Sequence, residues 1–452
     1  MLTSYSKIRF LHILYWGIDI LILFYFLFIL SPGEEDISFL LGKALGVIAL
    51  TKLTWQLVLS SRIRFLEKGV GLDRLMRWHK FNAKLVTTIV LIHPLLVFYT
   101  PLWLAGLSLV EIIQEMVIPI WLGATAVLLI AFTITITLYG YMLKLNYEHW
   151  KVLHNVGYVI VLLGFLHSLF VGTEIMDRGV IFYWWILLAF IALYAFLHRN
   201  VFRWLRWRGS MYEINRVVNE AKGVRSFYLK PVKDPGSEAG MTMRKFDYAP
   251  GQFAFTRFYS KDLSTEEHHF TLSSSPRWDQ LSFTIKESGD FTSQLGIVKE
   301  GDRLQLEGPY GVFSNQGMHG PFVFIAGGIG ITPLMSMLRT MKEQASLEKT
   351  LLFYAVRTRE DLVFKEELEA LDLDSKWFRM AYIFSEERID GAYHGYLTKE
   401  ILEKEISAYN FNIADPTFFI CGPPPMMDGA QKVLVSLGVE ERNIFTERFA
   451  LR

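Results

Sequence analysis

Cysteine is nearly missing from this chain of 452 residues: Cys421 is the only one. That excludes an intrachain disulfide and any thiolate-held metal cluster. An excess of charge of either sign is missing too. Lys and Arg number 46 against 45 Asp and Glu, a net charge of +1, and the basic residues gather at the ends of apolar runs. Anchoring accounts for them there, so nothing points to nucleic-acid binding. Charge is scarce altogether, at 20% of residues against 52% hydrophobic. No low-complexity tract or short-period repeat is present, which excludes an array of stacked repeats.

What is present falls into two unlike halves. Before about residue 200 the chain is a series of apolar runs, near 10–30, 37–59, 79–99, 116–143, 150–171 and 180–198. Each is long enough to cross a hydrocarbon core about 30 Å thick. The first run is too long for a signal peptide and lacks a small-residue cleavage site, so it is expected to be a span. The connection 60–78 carries Arg62, Arg64, Lys68, Arg74 and Arg77, and the segment after the sixth run carries Arg199, Arg203, Arg206 and Arg208. The other connections are acidic or poor in Lys and Arg. The distribution predicts a multi-pass protein of the cell membrane, with the N-terminus and the whole second half in the cytoplasm.

Four histidines stand inside two of these runs, His79 and His93 in the third, His154 and His167 in the fifth. An ionisable side chain in a bilayer is expensive, and by default it is functional. A single membrane histidine more often hydrogen-bonds a neighbouring helix than ligates a metal. Here the spacings are 93 − 79 = 14 and 167 − 154 = 13 residues, about 20 Å along a helix. Two such helices side by side present one His–His pair near each face, His79 with His154 inside and His93 with His167 outside. That arrangement suits two b-type haems, each held by two imidazoles. One feature fits poorly: on regular helices His93 lies about 40° from the face of His79, whereas His167 lies about 140° from that of His154. Tilt, curvature or a distortion near Gly157 or Gly164 would close the gap. Asp19, Lys43 and Lys52 also lie within spans, where each must pair, snorkel or serve a function; Lys43, near the outer end, could attract an anion or a haem propionate.

After about residue 210 the chain reads as a soluble protein. Short strands with turns, among them MYEINRVVNE, RSFYLKPV, AFTRFY, HHFTLSSS, LSFTIKE and DRLQLEG, predict a small antiparallel barrel. From about 320, the buried-looking strands FVFIAG, LLFYAV, FRMAYIF and TFFICG alternate with helical patterns, which predicts an open parallel sheet. FVFIAGGIGITPL is a strand, a glycine turn and a helix start. Gly327, Gly328 and Gly330 let the backbone approach a pyrophosphate at the helix N-terminus, and Pro333 suits the first turn. Tight turns need glycine anyway, but FFICGPPPMM supplies a second turn at the carboxyl edge of the sheet, where ligands bind in such folds.

With HHFTLSSSP and TIKESGDFTSQL beside these turns, the sequence resembles the ferredoxin-reductase-like flavoprotein module. With its membrane half it resembles the NADPH oxidase and ferric reductase superfamily over nearly the whole chain, and is similar to compact bacterial NADPH oxidase homologues. No calcium-binding loop, SH3-type extension or regulatory-subunit site is visible in it. The resemblance implies a six-helix transmembrane bis-haem bundle over 1–208, an antiparallel β-barrel FAD domain over 209–317, and an α/β NAD(P)-binding domain over 318–452. His268, Phe270 and Thr271 match the flavin motif, with Thr271 near the flavin N5; Gly289, Phe291 and Thr292 match the segment that holds the FAD pyrophosphate. Gly327, Gly328, Gly330, Thr332 and Pro333 match one nicotinamide turn, and Cys421, Gly422 and Pro423 the other, with Cys421 near the hydride path. Arg357 is placed for an adenosine 2′-phosphate, with Arg359 nearby, since a guanidinium fork donates two parallel bonds; either could equally be a solvated loop charge. Phe449 matches the near-terminal aromatic that covers the flavin.

The function implied is a membrane NAD(P)H oxidase. Electrons from cytosolic NADPH or NADH pass through FAD and two haems to oxygen outside, giving superoxide. Two alternatives share the path: a ferric-chelate reductase, and an electron-donor subunit for a partner membrane protein. Animal-type oxidases commonly place another histidine one turn after the outer ligand of span three; here that position is Val97.

Overall fold

The computed structural model describes residues 4–30, 36–99, 118–140, 142, 147–208, 210–232 and 246–448. It divides into two units, Met1–Phe202 and Arg203–Arg452.

Among the described residues, six helices are long and apolar enough to cross a membrane: Ile8–Leu30, Ile37–Ser60, Leu72–Phe98, Ile118–Tyr139, Glu148–Val171 and Val180–Trp207. Lipid offers no partner for backbone N–H and C=O groups, so each span closes its own hydrogen bonds as a helix. Hydroxyls inside the spans turn back on the same helix: Thr51 donates to the Val47 carbonyl at 2.9 Å and Thr133 to that of Leu129 at 2.8 Å. Asp36 caps the second span by accepting from the Ser38 amide at 2.9 Å. The third span starts earlier than the apolar run implies. Gly71, at φ 91°, ends the short helix Arg64–Val70 and lets a new helix begin at Leu72, with Asp73 and Arg77 paired at 3.0 Å across one turn.

The polar residues inside the spans are paired. Lys52 meets Asp19 at 2.7 Å and lies 3.2 Å above the ring centre of Tyr15, while Lys43 meets Glu174 at 2.8 Å. Such pairing removes most of the cost of an isolated charge in lipid. The fifth span is not one rod. It is built of Tyr147–His154 and Val156–Val171, interrupted at Asn155, whose amide reaches both the Lys151 and Val152 carbonyls at 3.2 Å. The regular rotation that sets His154 and His167 on different faces therefore does not apply across this joint.

In the second unit, β1 (Met211–Ala221), β2 (Val224–Pro231), β3 (Phe253–Tyr259), β4 (His268–Thr271), β5 (Leu281–Lys286) and β6 (Arg303–Tyr310) form an antiparallel sheet in the order β4-β3-β6-β1-β2-β5. A bridge from Leu272 to Phe283 joins its two ends into a barrel. Ile214, Phe227, Leu229, Phe258, Phe283 and Leu304 fill the interior, each on the inward side of an alternating strand. The next domain is a parallel sheet in the order β10-β9-β8-β7-β11-β12, with β7 Phe322–Gly327, β8 Thr350–Val356, β9 Phe378–Phe384, β10 Tyr393–His394, β11 Thr417–Cys421 and β12 Ile444–Glu447. The strands of the buried-looking runs are all present. The edge strands β10 and β12 escape the sequence because two to four residues carry no period.

Candidate functional site

In the membrane unit the four histidines meet in two pairs. The ring centres of His79 and His154 are 6.2 Å apart, and those of His93 and His167 are 6.5 Å apart. Two imidazoles on opposite sides of one ion, with metal–nitrogen bonds of about 2 Å, put their ring centres roughly 6 Å apart. The hydrogen bonds also fit. The Nδ1–H groups of His93 and His167 donate to the carbonyls of Gly42 and Pro119, each at 2.8 Å. A carbonyl accepts only, so both Nε2 atoms keep free lone pairs, the usual orientation of a metal-binding imidazole.

Two glycines let neighbouring helices approach this pair. A Cβ on Gly46 would stand 2.9 Å from His93 Cε1, and one on Gly123 2.8 Å from His167 Nδ1. The second pair is set differently. His79 Nδ1 donates to the Gln56 carbonyl at 3.2 Å, while the Gln56 side-chain amide donates to His79 Nε2 at 3.1 Å. Trp150 stacks on His154 at 4.7 Å, and His154 Nδ1 is buried without a hydrogen-bond partner among the described residues. Both pairs fit a bis-imidazole haem, but at the second the Gln56 amide must turn away from Nε2. Gln56 is itself held by Asn82 at 2.6 Å, and Tyr15 donates to Asn82 at 2.5 Å. Gln56, Gly46, Gly123 and Asn82 were not singled out by the sequence, although polar or glycine residues on the helix beside a histidine are a usable signal.

On the barrel, β4 pairs with β3, setting Thr271 opposite Phe253 and His269 opposite Phe255. His268 lies flat on Phe291 at 3.9 Å, and its Nε2 contacts Glu266 at 3.0 Å. His268 and Phe270 are near-parallel at 6.3 Å. The strand and the GDFT turn are therefore joined by ring stacking, with Phe291 buried in the barrel core beneath His268. Thr292 closes its turn by accepting from the Ser288 amide at 2.9 Å and donating to the Gly289 carbonyl at 3.3 Å.

In the parallel sheet the two predicted turns come together. β7 and β11 are neighbours in register, with Cys421 opposite Ala326, although β8 to β10 intervene in sequence. That reversal of strand order opens a crevice at the carboxyl edge. Gly327–Gly330 and Cys421–Pro423 border it, packed so closely that a Cβ on Gly422 would lie 2.9 Å from the Gly327 backbone and one on Gly330 would strike the Cys421 carbonyl. Thr332 turns its hydroxyl to the Ile329 carbonyl at 3.0 Å, and Pro333 is buried in the first turn of helix Ile331–Glu343. Cys421 is fully buried; burial and then the Glu447 carboxylate push its thiol well above the ordinary range. Arg357 is exposed beyond β8 and pairs with Asp361 at 3.2 Å, while the Arg359 amide donates to Glu387 at 2.8 Å. Phe449 lies outside the described residues.

Comparison with known proteins agrees with this architecture. Residues 45–165 match the ferric reductase like transmembrane component family, 239–314 an FAD-binding domain family, and 324–432 the oxidoreductase NAD-binding domain family. The chain is 32% identical over 244 residues to the reductase component of propane 2-monooxygenase from Mycolicibacterium smegmatis, covering 52% of this chain and 66% of the relative. It is 28% identical over 273 residues to a flavohemoprotein of Bordetella pertussis, covering 57% and 64% respectively. The chain thus spans just under two thirds of the length of these relatives. The flavohem-like FAD/NAD binding domain of nitric oxide dioxygenase from Vibrio cholerae superimposes with a TM-score of 0.45 at 24% identity, covering 53% of this chain and 98% of that one. The chain is a multi-pass membrane oxidoreductase with the architecture of the NADPH oxidase and ferric reductase superfamily: a ferric-reductase-like transmembrane domain followed by an FAD- and NAD-binding module of the ferredoxin-reductase type.

Proposed function

We propose that this protein is a transmembrane NAD(P)H oxidase. FAD would supply hydride acceptance from cytosolic NAD(P)H, and two b-type haems would supply one-electron transfer across the bilayer to oxygen, giving superoxide. The observation that carries the proposal is the double pairing of four histidines at ligand-pair spacing, 6.2 Å and 6.5 Å, in a chain that also has the flavin and nicotinamide domains.

The residues have distinct tasks. His79 with His154, and His93 with His167, would each hold one haem through their imidazole nitrogens. Gly42 and Pro119 fix the tautomers of His93 and His167 through their carbonyls. Because each site brings two imidazoles together, a haem held there would supply electron transfer to an acceptor without binding it at the iron. Thr271 offers a hydroxyl beside the reactive flavin ring, with His268 and Phe270 on the same strand and Gly289 and Thr292 at the FAD pyrophosphate. Gly327, Gly328 and Gly330 admit the nicotinamide cofactor's pyrophosphate to a helix N-terminus. Cys421, fully buried at the end of β11, would keep its thiol protonated near the hydride path. Arg357 would select for a 2′-phosphate, and Phe449 would be the aromatic that stacks on the flavin and yields its place to nicotinamide.

A ferric-chelate reductase is the second reading. The family matched at 45–165 bears that name, and Val97 stands where oxidases commonly carry a polar oxygen-site residue. The two separate in one assay on purified protein under air. NAD(P)H-driven reduction of cytochrome c should be largely suppressed by superoxide dismutase. Reduction insensitive to dismutase, with rapid consumption of ferric chelate without oxygen, would replace oxidase by ferric reductase.

A further inference from the structure

The helix Ile331–Glu343 starts at the first nicotinamide turn, and its residues from Ile331 to Met341 are all buried. A helix buried all round is expected to be apolar. This one carries Ser336, Arg339, Thr340 and Glu343, at i, i+3, i+4 and i+7, a single polar stripe along one face. The stripe is docked on the barrel. Ser336 donates to the Ser274 carbonyl at 2.6 Å, Arg339 Nη1 to the Ser273 carbonyl at 2.7 Å, Thr340 to Ser275 at 3.4 Å, and Ser275 to Glu343 at 3.3 Å. All three acceptor serines are fully buried, and they directly continue the flavin strand His268–Thr271.

Arg339 is the centre of this contact. Its guanidinium makes a two-pronged pair with Glu367, at 2.9 Å and 2.6 Å, and lies over the rings of Trp278, at 4.9 Å, and Phe364, at 4.6 Å. It therefore ties three pieces together: the helix Ile331–Glu343, the helix Lys365–Asp374 that carries Glu367, and the backbone just past Thr271. Tyr248 braces the barrel side, donating to the Ser274 carbonyl at 3.0 Å. Hydride transfer depends on the separation and alignment of two rings, and a misplacement of about 1 Å costs roughly a hundred-fold in rate.

We propose that Arg339 is a positioning residue for hydride transfer, latching the nicotinamide domain to the end of the flavin strand. The proposal rests on the NAD(P)H-to-flavin reading above. Only a guanidinium can fork onto a carboxylate while a further N–H reaches the Ser273 carbonyl, so Lys is a poor substitute.

The test is anaerobic stopped-flow bleaching of bound FAD by NADPH in the full chain, with wild type, Arg339→Met, Arg339→Lys, Arg339→Ala and Glu367→Ala. Arg339→Met should bleach between about ten- and a hundred-fold more slowly, with the visible flavin spectrum unchanged and the loss in the limiting rate rather than in the NADPH concentration for half-saturation. Arg339→Lys should stay impaired, and ethylguanidinium should recover several-fold of the rate in Arg339→Ala. Glu367 is partly exposed, with 39% of its side chain accessible, so Glu367→Ala keeps the fold and should slow bleaching several-fold; it decides the matter if Arg339→Met loses FAD. Wild-type rates in Arg339→Met, or in Glu367→Ala when Arg339→Met loses FAD, overturn the latch. No bleaching by NADPH in wild type defeats the hydride reading instead.

Discussion

Replacing Gly46 or Gly123 by alanine tests haem ligation without touching a ligand. An added Cβ would stand 2.9 Å from His93 Cε1 or 2.8 Å from His167 Nδ1. Ordinary contact between such atoms is about 3.5–4.0 Å, so the imidazole must retreat by roughly 0.6–1 Å. A metal–nitrogen bond tolerates only about 0.2 Å of change, so the retreat breaks or severely stretches ligation at that pair. Helix propensity works the other way, since alanine is favoured over glycine by about 1 kcal/mol in a helix interior. A loss is therefore steric and not a weakening of the span. Pyridine haemochrome analysis should give about two haems per chain in wild type and about one in either variant, with FAD content unchanged. Gly17→Ala is the control, because its Cβ would meet nothing within 4 Å. Full haem content and an unaltered low-spin spectrum in both Gly46→Ala and Gly123→Ala would refute the assignment of His93 and His167.

Three further outcomes are expected. Thr271→Ala should weaken FAD binding or slow flavin reduction, since it removes a buried hydroxyl at the end of the strand proposed to hold the flavin; titration of apoprotein with FAD and stopped-flow reduction would check it. Arg357→Gln should lower the preference for NADPH over NADH by about ten-fold, the worth of a charge-assisted pair to phosphate, read as the ratio of kcat/KM values. Cys421, with its thiol pushed up by burial and Glu447, stays protonated at pH 8, so iodoacetamide should modify it only after denaturation, as read by mass spectrometry.

The spans and the change from barrel to parallel sheet are legible in the sequence because they rest on length and period. Apolar runs of bilayer length have few alternatives, and strand–glycine–helix punctuation is local. The four histidines are legible for the same reason, as costly groups in an apolar setting. Their partners are not. The carbonyls of Gly42 and Pro119 lie 51 and 48 residues from the histidines they bind, and Gln56 lies 23 from His79. The rotation expected of one regular helix would keep His154 and His167 on different faces, yet both meet their partners on a fifth span that is interrupted at Asn155, close to Gly157. The stripe on Ile331–Glu343 misleads in another way. Ser, Arg, Thr and Glu at helical spacing read as a solvated face, and only the fold brings buried serine backbone against them.

The central claim is that electrons cross the membrane from a cytoplasmic nicotinamide to an outside acceptor. The most direct measurement uses sealed liposomes holding the protein, with cytochrome c trapped inside and NADPH added outside. Vesicles in which the flavin module faces the added NADPH should reduce the trapped cytochrome c, and superoxide dismutase trapped with it should suppress that reduction. Diphenyleneiodonium outside should stop it. Rapid consumption of NADPH with no reduction of the trapped acceptor, while an acceptor added outside is reduced, would contradict transmembrane transfer.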